Sequence, residues 1–397
     1  MFSFLKRLDR AQRTQLYACF FSFFCSGLVT LTVGSAMPDL RAAYGLSDAL
    51  GGLLLACYST GNLVAGFTSG IIPLYLGRRK SIMLLSALLS VGMTLLTLWG
   101  APAFLFFAFL TVGLGRGSIT NFNTRTVNVL TDGSPTASNL LHALFALGAI
   151  TAPMAFLLWS RGVSWRAALL AVAACCCLCV IFFGRMRGAD DRPAARDKSA
   201  KTLSFLREPA FLTHVGMMFF YLCSEYAVNG WLVTYIQHKD SLRAALNDVT
   251  AYSQTMATLL WAVILAGRLL CAWLSRRRPQ KKLMFLFSLG MAGCFTGMLL
   301  ARTGTAVSLS VAGLGFCMAG ICPMIYSDAV YYTNSYPLAT GALLALGSLG
   351  GVLMPLLVGL LAGRFGFGGG MGAILAAIAL LILFSAVNLR MRPKGQG

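Results

Sequence analysis

Residues Ala101–Leu130 read APAFLFFAFLTVGLGRGSITNFNTRTVNVL, and the placement of one charge within them points to the fold. The first half is apolar or small, and the first charge, Arg116, arrives only about fifteen residues in. At ~1.5 Å per residue a helix carries that side chain roughly 22 Å, close to the middle of a bilayer. A charge at that depth costs at least ~2.5–3.5 kcal/mol, so it faces a bundle interior or a wet cavity. A second reading stays open beside this one: Arg116 lies nearer an interface and reaches for water, or serves only a structural ion pair.

Working outward, the whole chain has the same character. It is 57% hydrophobic and 11% charged over 397 residues, which excludes a soluble globular domain of that length. The net charge of +20 would suit nucleic acid, but the basic residues fall in short clusters between apolar runs. That is the pattern of membrane loops facing lipid, so a bilayer is the expected partner and nucleic acid is not. The twelve cysteines include no CxxC pair in a polar loop, and Cys175, Cys176, Cys177 and Cys179 sit inside an apolar run. They read as small packing residues, with no metal or other cofactor expected. The first run begins near Gln15, after Lys6, Arg7, Arg10 and Arg13, and lacks a small-residue cleavage site, so it reads as a retained helix.

Runs long enough to span a membrane recur twelve times, near 15–38, 48–72, 80–99, 101–130, 137–160, 164–184, 211–236, 249–275, 282–301, 304–332, 338–362 and 368–390. The expected fold is an all-α membrane protein with twelve transmembrane helices in two pseudo-symmetric six-helix bundles. The bundles fall at 1–184 and 211–397, and the hydrophilic stretch 185–210 links them. Twenty-two lysines and arginines lie on the side of the termini and linker against seven on the other, which places both termini in the cytoplasm of a multi-pass cell-membrane protein. Internal matches support the duplication. Gly113-Leu-Gly115 recurs at 313–315, Gly66, Lys80 and Gly92 recur as Gly267, Lys281 and Gly293, and ALGAITAP (146–153) recurs as SLGGVLMP (348–355). The offsets are 200, 201 and 202 residues. Parallel six-span halves around a midplane site are a transporter architecture.

The loop Gly70-Ile-Ile-Pro-Leu-Tyr-Leu-Gly77-Arg78-Arg79-Lys80 resembles the major facilitator superfamily signature between its second and third helices. Asn139-Leu-Leu-His142-Ala-Leu-Phe145-Ala-Leu-Gly148 with Pro153 resembles the fifth-helix pattern of fucose-permease-like sugar–proton symporters. Glu225-Tyr-Ala-Val-Asn229-Gly230-Trp231-Leu-Val-Thr-Tyr235 is similar to their seventh-helix pattern. The resemblance implies a secondary transporter, with helices one, four, seven and ten lining a central cavity.

Away from the ends of the runs lie five charges: Arg116, Arg125, Glu225, Arg268 and Asp328. Four of them fall on runs four, seven and ten. Arg116, Thr120 and Asn123 share a helical face rich in donors, suited to carboxylate or hydroxyl oxygens. Tyr221, Glu225 and Asn229 form a polar stripe, with Glu225 at a depth where a carboxyl can take up and release a proton. The competing reading is a Glu225–Arg116 ion pair that only joins the halves. Trp231 and Trp261 are candidate ring-stacking contacts, though aromatic residues in membrane helices also serve as packing or interfacial anchors. Arg125, Asn139 and His142 are expected at a gate or interdomain contact, and Asp328 is expected to lock the inner end of its helix against Arg125 or the basic loops.

No serine, cysteine or histidine sits in a nucleophile motif, and the chain is not expected to be an enzyme. The reading is proton-coupled uptake of a small polar solute, a sugar or acidic sugar derivative, by a monomer working through alternating access. The alternatives are a proton-driven drug or metabolite exporter, and a membrane sensor that has kept the fold.

Overall fold

The first long helix starts where a carboxylate can close it. In the computed structural model, which describes residues 8–131, 135–185, 203–274, 279–336 and 339–391, α1 spans Arg10–Tyr44. The Asp9 carboxylate accepts from the Gln12 N–H at 2.7 Å, and the Gln12 side chain accepts from the Asp9 N–H at 3.0 Å. This reciprocal cap satisfies donors that a first helical turn leaves without partners. Next come α2 (Asp48–Leu76) and α3 (Arg78–Leu95), separated by Gly77 alone. Gly77 has φ +75°, so the glycine of the signature-like loop stands where a side chain would be strained.

The helices α4 (Pro102–Leu130), α5 (Pro135–Gly162) and α6 (Trp165–Gly184) follow. A single 3₁₀ turn, Leu203–Arg207, precedes α7 (Pro209–Gln237). That turn falls in the expected linker and is held by Phe205, which is fully buried with its ring 4.8 Å from Phe211 and 5.2 Å from Tyr336. A short helix (Asp240–Ala245) leads to α8 (Val249–Leu274), α9 (Gln280–Leu300) and α10 (Gly304–Asp328). Another short helix (Val330–Ser335) precedes the long run Ala339–Arg390. Gly366 at φ +72° breaks that run into α11 (339–365) and α12 (367–390).

Nine of the described helices are long and apolar enough to cross a membrane, with Ala339–Arg390 counted once although it holds two spans. The two long helices outside that group are α3, which opens with Arg78, Arg79 and Lys80, and α7, which carries His214, Glu225 and Asn229. The architecture is the all-helical, twelve-span one. Most of the linker (186–202), the basic cluster Arg276–Arg278, the N-terminal Lys6 and Arg7, and the side chain of Asn139 lie outside the described residues.

The chain divides into two compact units, one from 1–46 and 53–196 and the other from 47–52 and 197–397. In the first, α1 packs on α5, α4 and α6, while α3 packs on α4 and α6. In the second, α7 packs on the Ala339–Arg390 run, α8 and α10, while α9 packs on α10 and that same run. Small residues let these backbones approach closely, as membrane helices require when lipid is as apolar as the interface.

The close approaches reveal the register of the repeat. A Cβ on Gly148 would overlap the Phe24 carbonyl of α1, and one on Gly350 would overlap the Phe219 carbonyl of α7. Gly113 abuts the Tyr58 carbonyl of α2, and Gly315 abuts the Leu260 carbonyl of α8. Gly117 faces the Ala65 methyl, whereas Gly267 faces the Ala319 methyl, so glycine and alanine have traded helices. At the start of each unit's third helix, Arg79 donates to the carbonyl of Gly184, the last residue of α6, and Lys281 donates to Met391 O, just past α12, at 3.0 Å. Gly148 and Gly350, Gly113 and Gly315, Gly117 and Ala319, and Arg79 and Lys281 are each 202 residues apart. In α1 and α7 the corresponding step, Phe24 to Phe219, is 195. Beyond the first helix of each unit, 202 therefore replaces the 200 and 201 read from matching letters. Each crossing needs one small residue, and either facing helix can supply it, so the letters drift while the contact stays.

Candidate functional site

In the first unit the site is built on α4. Pro102 stands in its first turn, where a missing N–H costs nothing. Arg116 follows four turns later and is half-buried. Its Nη1 donates to Asn62 Oδ1 of α2 at 2.9 Å, and its guanidinium carbon lies 5.6 Å from the centre of the Phe145 ring of α5. Asn62 and Phe145 thus aim the guanidinium from two sides, one by hydrogen bonding and one by its π face. The repeat sharpens the point: the counterparts of Arg116 and Asn62 in the second unit are Met318 and Ile264. The fold packs these two helices without any polar pair there.

Thr120 is half-buried one turn further on and donates to Arg116 O at 3.1 Å. Its hydrogen is spent on its own helix, leaving the oxygen as an acceptor. Asn123 is placed differently. It is 1% exposed, and its amide donates to Ser22 Oγ at 2.5 Å and to Cys19 O at 3.3 Å, tying α4 to α1. Arg125 is exposed toward the end of α4. His142 is exposed on α5 with its ring 5.6 Å from Phe23, edge to face.

In the second unit, Tyr221 of α7 is buried and donates to Met318 O of α10 at 3.2 Å. Glu225, one turn on, is half-buried. Glu225, Arg268 of α8 and Cys322 of α10 all lie close enough to the Tyr221 hydroxyl to act on it, and Glu225 and Arg268 both act on Cys322. A carboxyl and a guanidinium therefore share one neighbourhood. The sequence placed Arg268 in a span without a role; the structure brings it to the polar stripe of α7.

Asn229 Oδ1 accepts from Trp261 Nε1 at 3.1 Å, so these two predicted residues do meet. Trp231 is fully buried, donates to Pro355 O at 3.0 Å and packs 5.6 Å from Phe367. Its indole locks α7 to the Ala339–Arg390 run. Asn123 and Trp231 are thus held in helix packing, apart from the half-buried Arg116, Thr120, Glu225 and Asn229.

Asp328, expected to meet Arg125 or the basic loops, lies 2.9 Å from His214 Nε2 of α7 and accepts from Asn388 Nδ2 of α12 at 2.7 Å. Lys281, at the start of α9, acts on it from further away. Neither His214 nor Asn388 stood out in the sequence. A histidine five residues into a helix carries no mark of its partner. Lys239, between α7 and the following short helix, donates to Tyr235 Oη at 2.9 Å and to Leu299 O, at the end of α9, at 2.7 Å. A cation at a helix C-terminus is favourably placed, while partial burial lowers the ammonium below its ordinary range.

Comparison with known proteins agrees with this architecture. The family model of the Major Facilitator Superfamily matches residues 19–336. An uncharacterised MFS-type transporter of Yersinia pestis is 32% identical over 141 residues, covering 35% of this chain and 37% of that protein. A protein of Bacillus subtilis (strain 168) named as a niacin/nicotinamide transporter, NiaP, is 26% identical over 332 residues, covering 77% and 78%. Among solved structures, a bacterial homolog of the human lysosomal transporter Spinster superposes with a TM-score of 0.75 at 14% identity, covering 97% of this chain and 98% of that one. The nucleoside transporter NupG superposes with a TM-score of 0.72 at 16% identity, covering 97% and 100%. At these identities the two structures speak for the fold alone.

Proposed function

The chain belongs to the Major Facilitator Superfamily, and from that premise we propose that it carries out proton-coupled uptake of a small polar solute bearing an anionic group, a sugar acid or a small carboxylate, by alternating access. The observation that carries this reading is Arg116. It is a half-buried guanidinium at mid-helix depth, aimed by Asn62 and Phe145, at a position where the other unit has methionine. A guanidinium presents its donors in a fork that matches a carboxylate, and the Thr120 oxygen one turn away can accept from a hydroxyl. The Bacillus subtilis relative named for niacin and nicotinamide supports a small solute of this kind. The fifth- and seventh-helix resemblance supports a sugar skeleton.

Coupling is assigned to Glu225, a carboxyl in the polar stripe of α7 beside Tyr221 and Arg268. The distribution of lysine and arginine supports both termini lying in the cytoplasm, with the protein in the cell membrane.

A thermal-shift screen of the purified protein tests the substrate class. A ligand that binds only the folded form raises the melting temperature by mass action. Sugar acids, nicotinate and other small carboxylates are expected to raise it, and neutral hexoses to raise it less. Stabilisation confined to lipophilic cations would overturn the reading in favour of an exporter.

A further inference from the structure

The His214–Asp328 contact plays no part in the function proposed above, and counting its hydrogens leads to a distinct conclusion. His214 Nδ1 lies 2.6 Å from Ala210 O, and Nε2 lies 2.9 Å from Asp328 Oδ2. A backbone carbonyl can only accept, so Nδ1 carries a hydrogen. An ionised carboxylate can only accept too, so the second contact needs a second hydrogen. Asn388 Nδ2 donates to the same Oδ2 at 2.7 Å, an arrangement that suits an ionised carboxylate facing a hydrogen on Nε2. We propose that His214 and Asp328 form a proton-binding site in the second unit, assembled when the imidazole holds both hydrogens and open when it gives one up.

The site is enclosed, with the two side chains 5% and 14% exposed. A charged pair is costly to place there, so its presence calls for a reason beyond holding helices together. The repeat shows that packing does not demand it. By the spacings of 195 and 202, the counterparts of His214 and Asp328 are Cys19 and Thr126. Those two line one small cavity in the first unit together with Arg79, the counterpart of Lys281. The same corner of the first unit is therefore lined with no acid and no imidazole.

The groups facing the pair come from each neighbouring element. Lys281 of α9 acts on Asp328 from further away. The Tyr332 ring, from the helix Val330–Ser335, lies 6.2 Å from the imidazole and donates its hydroxyl to Glu208 Oε2 at 2.9 Å. Burial first, then the Glu208 carboxylate, holds the Tyr332 phenol well above its ordinary range, so it stays a donor to Glu208. Asn388 brings in α12. The proton thus joins α7, α10 and α12 at one point. When it leaves to water, the Nε2 lone pair faces the carboxylate, and the tie turns repulsive.

The chain has three histidines, His142, His214 and His238, so selective ¹⁵N-histidine labelling of the full-length protein in detergent or nanodiscs gives an NMR spectrum assignable by single replacements. At pH 7 His214 is expected to show both ring nitrogens protonated. In Asp328→Asn the new amide can donate to Nε2, so the ring is expected to become the neutral tautomer with hydrogen on Nδ1 alone. Glu225→Gln is expected to leave His214 unchanged, which separates this site from the coupling assigned to Glu225. A neutral His214 in the unsubstituted protein at pH 7 would overturn the proposal, and that arm depends on no variant. A His214 that keeps both hydrogens in Asp328→Asn would overturn it equally.

Discussion

On α4, Arg116 and Asn123 stand two turns apart, and their neighbours give them opposite work. Arg116 is half-buried and aimed by a side-chain carbonyl and an aromatic face, whereas Asn123 is sealed against α1 through Ser22 and Cys19. Arg116→Ala is expected to weaken binding of a carboxylate ligand by about 1.5–3 kcal/mol, roughly ten- to a hundredfold, and to spare neutral analogues. Equal losses for both ligand kinds in a titration would make Arg116 structural. Asn123→Ala is expected to lower stability by about 1–3 kcal/mol, since it strands a buried acceptor, while leaving ligand selectivity as it was. Selectivity measured in that variant decides the point. The difference between the two residues was half legible in the chain. A charge after fifteen uncharged residues announces itself by its cost, so Arg116 could be singled out. Asn123 returns to nearly the same face seven residues later, and periodicity cannot say that α1 covers that part of the face. For Trp231 the chain left ring stacking and packing both open, and only the structure shows its indole bonded to Pro355 O and packed on Phe367.

Among helices, closeness of approach is what the glycines provide, and it can be tested one crossing at a time. Gly148→Val and Gly350→Val each force a side chain into a facing carbonyl, at Phe24 and Phe219. Each is expected to cost about 1–3 kcal/mol and to lower the melting temperature of the purified protein. Gly293→Ala is the control, because a Cβ there meets nothing within 4 Å, and its melting temperature is expected to stay within about a degree of the parent. If all three variants melted alike, the close crossings would not be what holds the units together. Element type and number were readable because twenty apolar residues have few options in water or lipid. The crossings were less so. Gly113-Leu-Gly115 and Gly313-Leu-Gly315 match by letter, yet Gly113 does the work of Gly315, since only the facing carbonyls of Tyr58 and Leu260 reveal which glycine touches which helix.

Across the whole molecule, one unit is the other's template, and function is to be sought where they differ. Gly148 and Gly350, and Arg79 and Lys281, are shared solutions to the same packing and capping problems. The departures are chemical: Arg116 against Met318, Glu225 against Thr30, Asp328 against Thr126. Membership in the Major Facilitator Superfamily supports a transporter of small solutes, and the proposed proton-linked uptake of an anionic solute draws on the first two of these departures. The most direct test is accumulation in proteoliposomes under an imposed proton gradient. The probe is the carboxylate that most raises the melting temperature, compared between the parent protein and Glu225→Gln. The parent is expected to concentrate it above the outside level and to lose that ability when the gradient is collapsed. Glu225→Gln is expected to exchange it across the membrane without concentrating it. Accumulation that ignores the gradient, or that persists undiminished in Glu225→Gln, would contradict proton coupling through α7.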